Sequence, residues 1–363
     1  MFTDRSASKS VLLERVGSGK QRNSVVYVAR CRRRTKRYDG SGAKRYRRGG
    51  RPQTRIVKRA PSAVGEGVSP NRWSISIYSE FQGYRSVRKM EKRMVNYICV
   101  RCGVQYTGTV GPPARCAICE DEREAVYWKG QRWTTLADLR RDHQNVVEPL
   151  EIDLISLHTE PHFAIGQQAL LIRTPEGNVL WDCLSLIDDA TIAAVQGVGG
   201  LTAIASSHPH FYGTLVEWSQ AFNGIPIYLH AADQSWVMRP DPAMVFWEGA
   251  TYPLAPDLTL IHCGGHFLGS TVLHWAAGAE GRGVLFSGDT LHVVEDHRYV
   301  SFMYSYVNYI PLAGVGVRQI TERLSPLRYD RIYGCFAGWV VSSDAQAAVA
   351  RSATRYLRAI GDA

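Results

Sequence analysis

From about residue 150 onward, apolar residues fall in short runs of strand length, separated by turn chemistry. Gln168-Ala-Leu-Leu-Ile-Arg-Thr174 reads as a strand, Pro175-Glu-Gly-Asn178 as a turn, and Val179-Leu-Trp-Asp-Cys183 as the returning arm of a hairpin. Beyond it the pattern alternates between periods. Helices are predicted over 188–196, 214–222, 314–324 and 344–357, and strands over 201–205, 225–230, 257–262, 270–276, 283–287 and 329–334. Hairpin-paired strands followed by strands interleaved with helices predict an α/β fold with more than one sheet. Upstream, 127–133 reads as a short strand and 135–143 as a capped helix with Leu136 and Leu139 on one face. Residues 1–89 have no sustained apolar period.

The strand predicted over 201–205 runs directly into Ser206-Ser207-His208-Pro209-His210-Phe211-Tyr212-Gly213. On an extended backbone residues i and i+2 point to the same side, so His208 and His210 are expected to face one point. Two later stretches also follow apolar runs: Cys263-Gly-Gly-His266 and Ser287-Gly-Asp289-Thr290. Neutral imidazole and carboxylate are ligands for zinc, iron or manganese, and neighbouring glycines let backbone approach an ion. Alone, each piece is an ordinary turn or strand end. Their conjunction predicts one metal site built from His208, His210, His266 and Asp289.

A second signal is local. Cys99, Cys102, Cys116 and Cys119 follow the spacing C-x2-C-x13-C-x2-C, which places two thiolate knuckles around one tetrahedral ion. The pattern resembles a zinc ribbon, with a rubredoxin-like iron site as the minor alternative. Four thiolates leave no open position, so the expected role is structural: a module this small buries too little apolar surface to fold without the ion. Cys183, Cys263 and Cys335 sit in apolar contexts, a usage that fits a reducing compartment better than a disulfide framework.

Charge divides the chain further. Residues 1–89 hold 23 of the 43 Lys and Arg but 5 of the 33 Asp and Glu, a balance of +18, while the other 274 residues carry −8. The basic character therefore belongs to the first quarter and says nothing about the partner of the rest. That stretch reads as disordered. It is expected to be a basic arm for nucleic acid, a targeting peptide or, the favoured reading, not part of the natural protein, whose start would then be Met90 or Met94. The expected organisation is a disordered basic segment at 1–93, a zinc ribbon with its linker helix at 94–146, and a catalytic domain at 147–363. No apolar stretch reaches the roughly 18 residues that span a bilayer, so no membrane partner is expected and a cytoplasmic location is the default. A nucleic-acid partner is expected only through the basic segment.

In their order, the His-Pro-His pair, Gly-Gly-His266 and Gly-Asp289 resemble the metallo-β-lactamase superfamily over residues 150–363. The resemblance implies a four-layer αββα sandwich with the metal at one edge between two sheets. It matches His208, His210 and His266 to the first metal pocket and Asp289 to the bridging carboxylate. Where the family has Asp-His this chain has Tyr212-Gly213, and the stretch 332–338, where a late histidine falls in the family, contains none. The resemblance thus implies one intact pocket and a second that keeps only its shared carboxylate.

The resulting expectation is hydrolysis of a small ester, thioester, amide or phosphodiester by a metal-activated hydroxide, with one catalytic zinc or iron and a small-molecule substrate. Asp289 would be fourth ligand or base, and Tyr212 either an oxyanion donor or plain packing. Two alternatives stay open. His208, His266 and Asp289 alone make the two-His-one-carboxylate face of an iron oxygenase, and a non-catalytic scaffold would act through the ribbon. Thr214 is read as a helix cap beside the histidines, His292 as a reserve ligand, and Cys335 as a soft substitute for the missing histidine or a buried thiol. The tyrosine-rich stretch 299–311 is expected to wall the substrate pocket, with Trp236, Trp247 and the loop 239–242 opposite.

Overall fold

The computed structural model describes residues 94–362, and the basic segment with its candidate roles lies outside the described residues. Two mixed sheets dominate. The first holds seven strands in chain order: Gln144–Glu151, Leu154–Glu160, Ala169–Ile172, Val179–Trp181, Ala203–Ala205, Ile227–His230 and Met244–Trp247. Its first four are antiparallel and joined by turns; the last three run parallel to Val179–Trp181, because helices Asp189–Gly197 and Leu215–Ala221 carry the chain back between them. The second sheet orders Thr251–Ala255, Leu258–His262, Thr271–Trp275, Val284–Phe286, Arg331–Tyr333 and Val340–Val341. Only Val284–Phe286 and Arg331–Tyr333 are parallel there, with helix Gly314–Leu324 in the connection.

Strand alternation separates the core into layers. Leu170, Ile172, Val179 and Trp181 face Leu260, Leu273, Val284 and Phe286 of the other sheet in one buried cluster. Their neighbours Leu171 and Leu180 turn outward onto Val195 and Trp218 of the two short helices. On the far side, Val272, Leu285 and Ile332 pack against Val317 and Ile320, and against Ala348 and Val349 of the last helix, Ala345–Ala359. Helix, sheet, sheet, helix is the four-layer αββα order that the resemblance implied. The predicted helices and strands are present, most within two residues of their expected ends, except the strand expected over 127–133: that stretch is turn and irregular, and the strand formed there is Trp133–Thr135.

The ribbon packs on the outer face of the first sheet. Val104 and Ile118 join the cluster of Leu157, Leu180 and Leu184. Backbone bonds tie it down: Gln105 N donates to Gly213 O at 2.9 Å and Thr107 N to Met238 O at 3.1 Å. Gly213 has φ +46, and a Cβ there would lie 2.7 Å from Leu184 O, so the close approach requires glycine. Among the described residues, no helix is long and apolar enough to cross a membrane.

Candidate metal centre

The four expected ligands leave strand ends at one edge of the sandwich. His208 follows Ala203–Ala205, His266 follows Leu258–His262, and Asp289 follows Val284–Phe286. The backbone at His208 is extended, but Pro209–Phe211 forms a single 3₁₀ turn. The two histidines therefore converge through a turn and not along one strand face, as Pro209, with its fixed φ, favours. Gly288 has φ +48, and a Cβ there would fall 2.5 Å from the Ser207 side chain, so glycine lets the Asp289 loop close onto the His208 loop.

One ligand atom each from His208, His210, His266 and Asp289 lies within 4.8 Å of all the others. Nε2 of His208 and of His266 stand 3.3 and 3.9 Å from Oδ2 of Asp289, and Nδ1 of His210 is 3.2 Å from Nε2 of His266. The three rings are almost wholly buried, yet Nε2 of His208 and Nε2 of His210 have no aligned hydrogen-bond partner. Burial and the neighbouring rings hold His210 well below the usual imidazole range and push His266 down to about 4. Both rings are thus in the neutral form that ligates metal. Although burial pushes the Asp289 carboxyl up, the facing imidazoles prevail and hold it below the carboxylate range. Neutral nitrogens and an anionic oxygen aimed at one point fit a divalent cation.

Outer contacts fix the ring orientations. Nδ1 of His266 donates to Tyr304 O at 2.8 Å, leaving Nε2 as the lone-pair nitrogen. Nδ1 of His208 lies 2.9 Å from Ser207 Oγ, which donates to Oδ1 of Asp182 at 2.8 Å. Asp182 also accepts from Ser207 N at 2.7 Å and from Ser206 Oγ at 3.1 Å. It adopts φ +61, a strained conformation for a residue with a Cβ, and is 2% exposed. The sequence carries its signal only faintly, as an acid closing the apolar run Val179-Leu-Trp.

A cavity of about 80 Å³ opens beside the cluster, bounded by His210, His266, Asp289, His292, Tyr306, Phe336, Arg123 and Glu124. Tyr306 bears out the expected tyrosine wall, its hydroxyl donating to Asp289 O at 2.9 Å. The opposite wall differs from expectation. Trp247 packs in the inter-sheet core, and Arg239 binds Glu217 at 2.8 Å. The segment after the ribbon takes their place: Arg123 donates to His266 O at 3.2 Å, pairs with Asp121 and lies 3.9 Å over the Phe267 ring. Nothing in the local sequence marks Arg123 or Glu124, since docking of the ribbon brings them there.

Two expectations are corrected. Tyr212 does not line this cavity; it is 4% exposed and packs among Leu184, Leu215 and the ribbon, so the oxyanion role has no geometric support. Thr214 does not cap its helix, because its hydroxyl donates to Leu184 O at 3.1 Å instead. Two of the other histidines find ordinary partners: His262 bonds Leu268 O at 2.8 Å and His274 bonds Arg328 O at 2.9 Å.

The cysteines form a separate cluster. Sγ atoms of Cys99 and Cys119 are 3.5 Å apart and those of Cys102 and Cys116 are 3.7 Å apart, all four buried and unbridged. Tetrahedral bonds of roughly 2.3 Å separate sulfurs by roughly 3.8 Å, so the set fits one ion. Tyr106 Oη donates to Cys116 Sγ at 3.3 Å and Gln131 Nε2 to Cys99 Sγ at 3.1 Å, contacts that favour thiolates.

YmaE of Bacillus subtilis (strain 168), described as an uncharacterized protein, is 48% identical over 269 residues, which is 74% of this chain and 97% of YmaE. The chain belongs to the YmaE family. No protein-family model matches the sequence. Similar solved structures include the Rm3 metallo-beta-lactamase, at 17% identity and TM-score 0.43 over 62% of this chain and 98% of that one. The DIM-1 metallo-beta-lactamase is 13% identical with TM-score 0.45, over 60% and 98%. For this YmaE-family chain the metallo-β-lactamase fold rests on its own four layers and on the edge position of His208, His210, His266 and Asp289.

Proposed function

We propose that the chain is a metal-dependent hydrolase for a small ester, thioester, amide or phosphodiester, with His208, His210, His266 and Asp289 as ligands. The observation that carries this reading is the convergence of three buried imidazoles and one carboxylate on a point beside a small cavity. Zinc held by these four residues would supply a Lewis acid that makes water a nucleophile near neutral pH. The chain's own residues do the rest. Asp289, ionised among the imidazoles, is the one anionic donor of the set, while Tyr304 O and the Ser207–Asp182 pair keep His266 and His208 in their ligating tautomers. Arg123 presents a cation near the reacting group, and Tyr306 and Phe336 limit water access. Zinc is also assigned to the cysteine cluster, in a structural role, with residues 94–146 as ribbon and linker and 147–363 as the catalytic domain. The first strand of the sheet already begins at Gln144, so the linker runs straight into the sandwich.

The position of His210, 3.2 Å from His266, supports three imidazoles over the two-His-one-carboxylate face of an iron oxygenase. Assay of the zinc-loaded chain against chromogenic esters, thioesters, amides and phosphodiesters is expected to give turnover on at least one class. His208→Ala should lower it by at least about 100-fold. Absence of turnover on all four, with the site loaded, would contradict the hydrolase reading; oxygen uptake by the iron-loaded chain would favour the oxygenase.

A further inference from the structure

We propose that Asp289, His292 and Cys335 form a second metal site, a zinc site that shares Asp289 with the three-imidazole site. The inference rests on the reading of that first site and extends it. Each of the three residues offers a ligand atom, and these atoms lie within 4.8 Å of one another. Two of the donors are residues that the superfamily resemblance does not supply: His292 stands three residues beyond Asp289, and Cys335 is a thiol within the stretch where the family has its late histidine.

Topology brings them together. Val284–Phe286 and Arg331–Tyr333 are parallel neighbours with Phe286 opposite Tyr333, so Asp289 and Cys335 leave adjacent strands at the same sheet edge. His292 is fixed in the short ladder His292–Val293 with Val300–Ser301. Its ring lies among aromatic rings, Tyr306 at 4.8 Å and Trp339 at 5.3 Å, which hold it without offering a competing charge. The Cys335 loop is clamped by Gln168, 3% exposed. Its backbone N donates to Cys335 O at 2.8 Å, and its Nε2 donates to Gly334 O and Phe336 O at 2.9 and 3.1 Å. Such support of a buried thiol is what a ligand needs and an inert core cysteine does not.

Thiol, imidazole and carboxylate together are a zinc donor set, and three protein ligands leave one position open. A carboxylate has two oxygens, so Asp289 has one for each ion. His292 and Asp289 border the same cavity as His210 and His266, so both sites would open onto it.

Zinc counted by elemental mass spectrometry on the full chain, saturated with zinc and freed of excess, tests the proposal. The wild type is expected to hold about three ions per chain, and His292→Ala and the near-isosteric Cys335→Ser about two each. A wild-type count of two overturns the proposal, and that count does not depend on whether either variant folds. If His208→Ala then lowers it to one, the imidazole site stands alone; if His208→Ala changes nothing, the reading of the first site fails as well.

Discussion

Replacing Cys99 and Cys102 by alanine should remove one metal ion per chain and unfold the ribbon. A closed four-thiolate zinc site contributes about 10–16 kcal/mol of apparent binding energy in isolated ribbon-sized modules, far more than any one core side chain. Cys99, Cys102, Cys116 and Cys119 are all buried in the same cluster as Leu157, Leu180 and Leu184, so the loss would uncover the outer face of the first sheet. It would also release Arg123 and Glu124 from the cavity wall. Thermal unfolding with metal analysis measures both effects: a lower Tm and one fewer ion. An unchanged Tm and metal content would show that these thiols bind nothing.

The second large effect is expected at a residue that touches no metal. Asp182 is the only acceptor charge for Ser206 and Ser207 among the described contacts of that loop, and Ser207 in turn fixes Nδ1 of His208. Asp182→Ala leaves buried hydroxyl and amide donors unpaired and frees the His208 ring to rotate. Metal affinity at the imidazole site should fall by about 10–100-fold. Competition with a chromogenic chelator reads that affinity directly. The ribbon ion, held by different residues, is the internal control and should be unaffected.

Those dependencies separate what the chain declares locally from what only packing reveals. His208, His266 and Asp289 are legible because each follows an apolar strand at a turn, and Gly265 or Gly288 stands beside the latter two. The hairpin of Ala169–Ile172 and Val179–Trp181 is legible for a similar reason, its Pro-Glu-Gly-Asn turn lying between two buried runs. The hairpin of Gln144–Glu151 and Leu154–Glu160 is not. Its first arm is an edge strand, largely exposed and carrying Glu148, Pro149 and Glu151, so it lacks a clean alternation of apolar and polar residues. Tyr212 misleads because its place in the motif suggests the site, whereas the tie from Gly213 to the ribbon turns that stretch into core. Arg123 and Cys335 lie 143 and 69 residues from His266 in opposite directions along the chain, and no local pattern links either to the site.

Metal content of the full chain and of His208→Ala decides whether His208, His210, His266 and Asp289 hold a metal ion. The variant is expected to lose the ion at the imidazole site and to retain the ion held by the four cysteines. An undiminished metal content in folded His208→Ala would contradict that expectation.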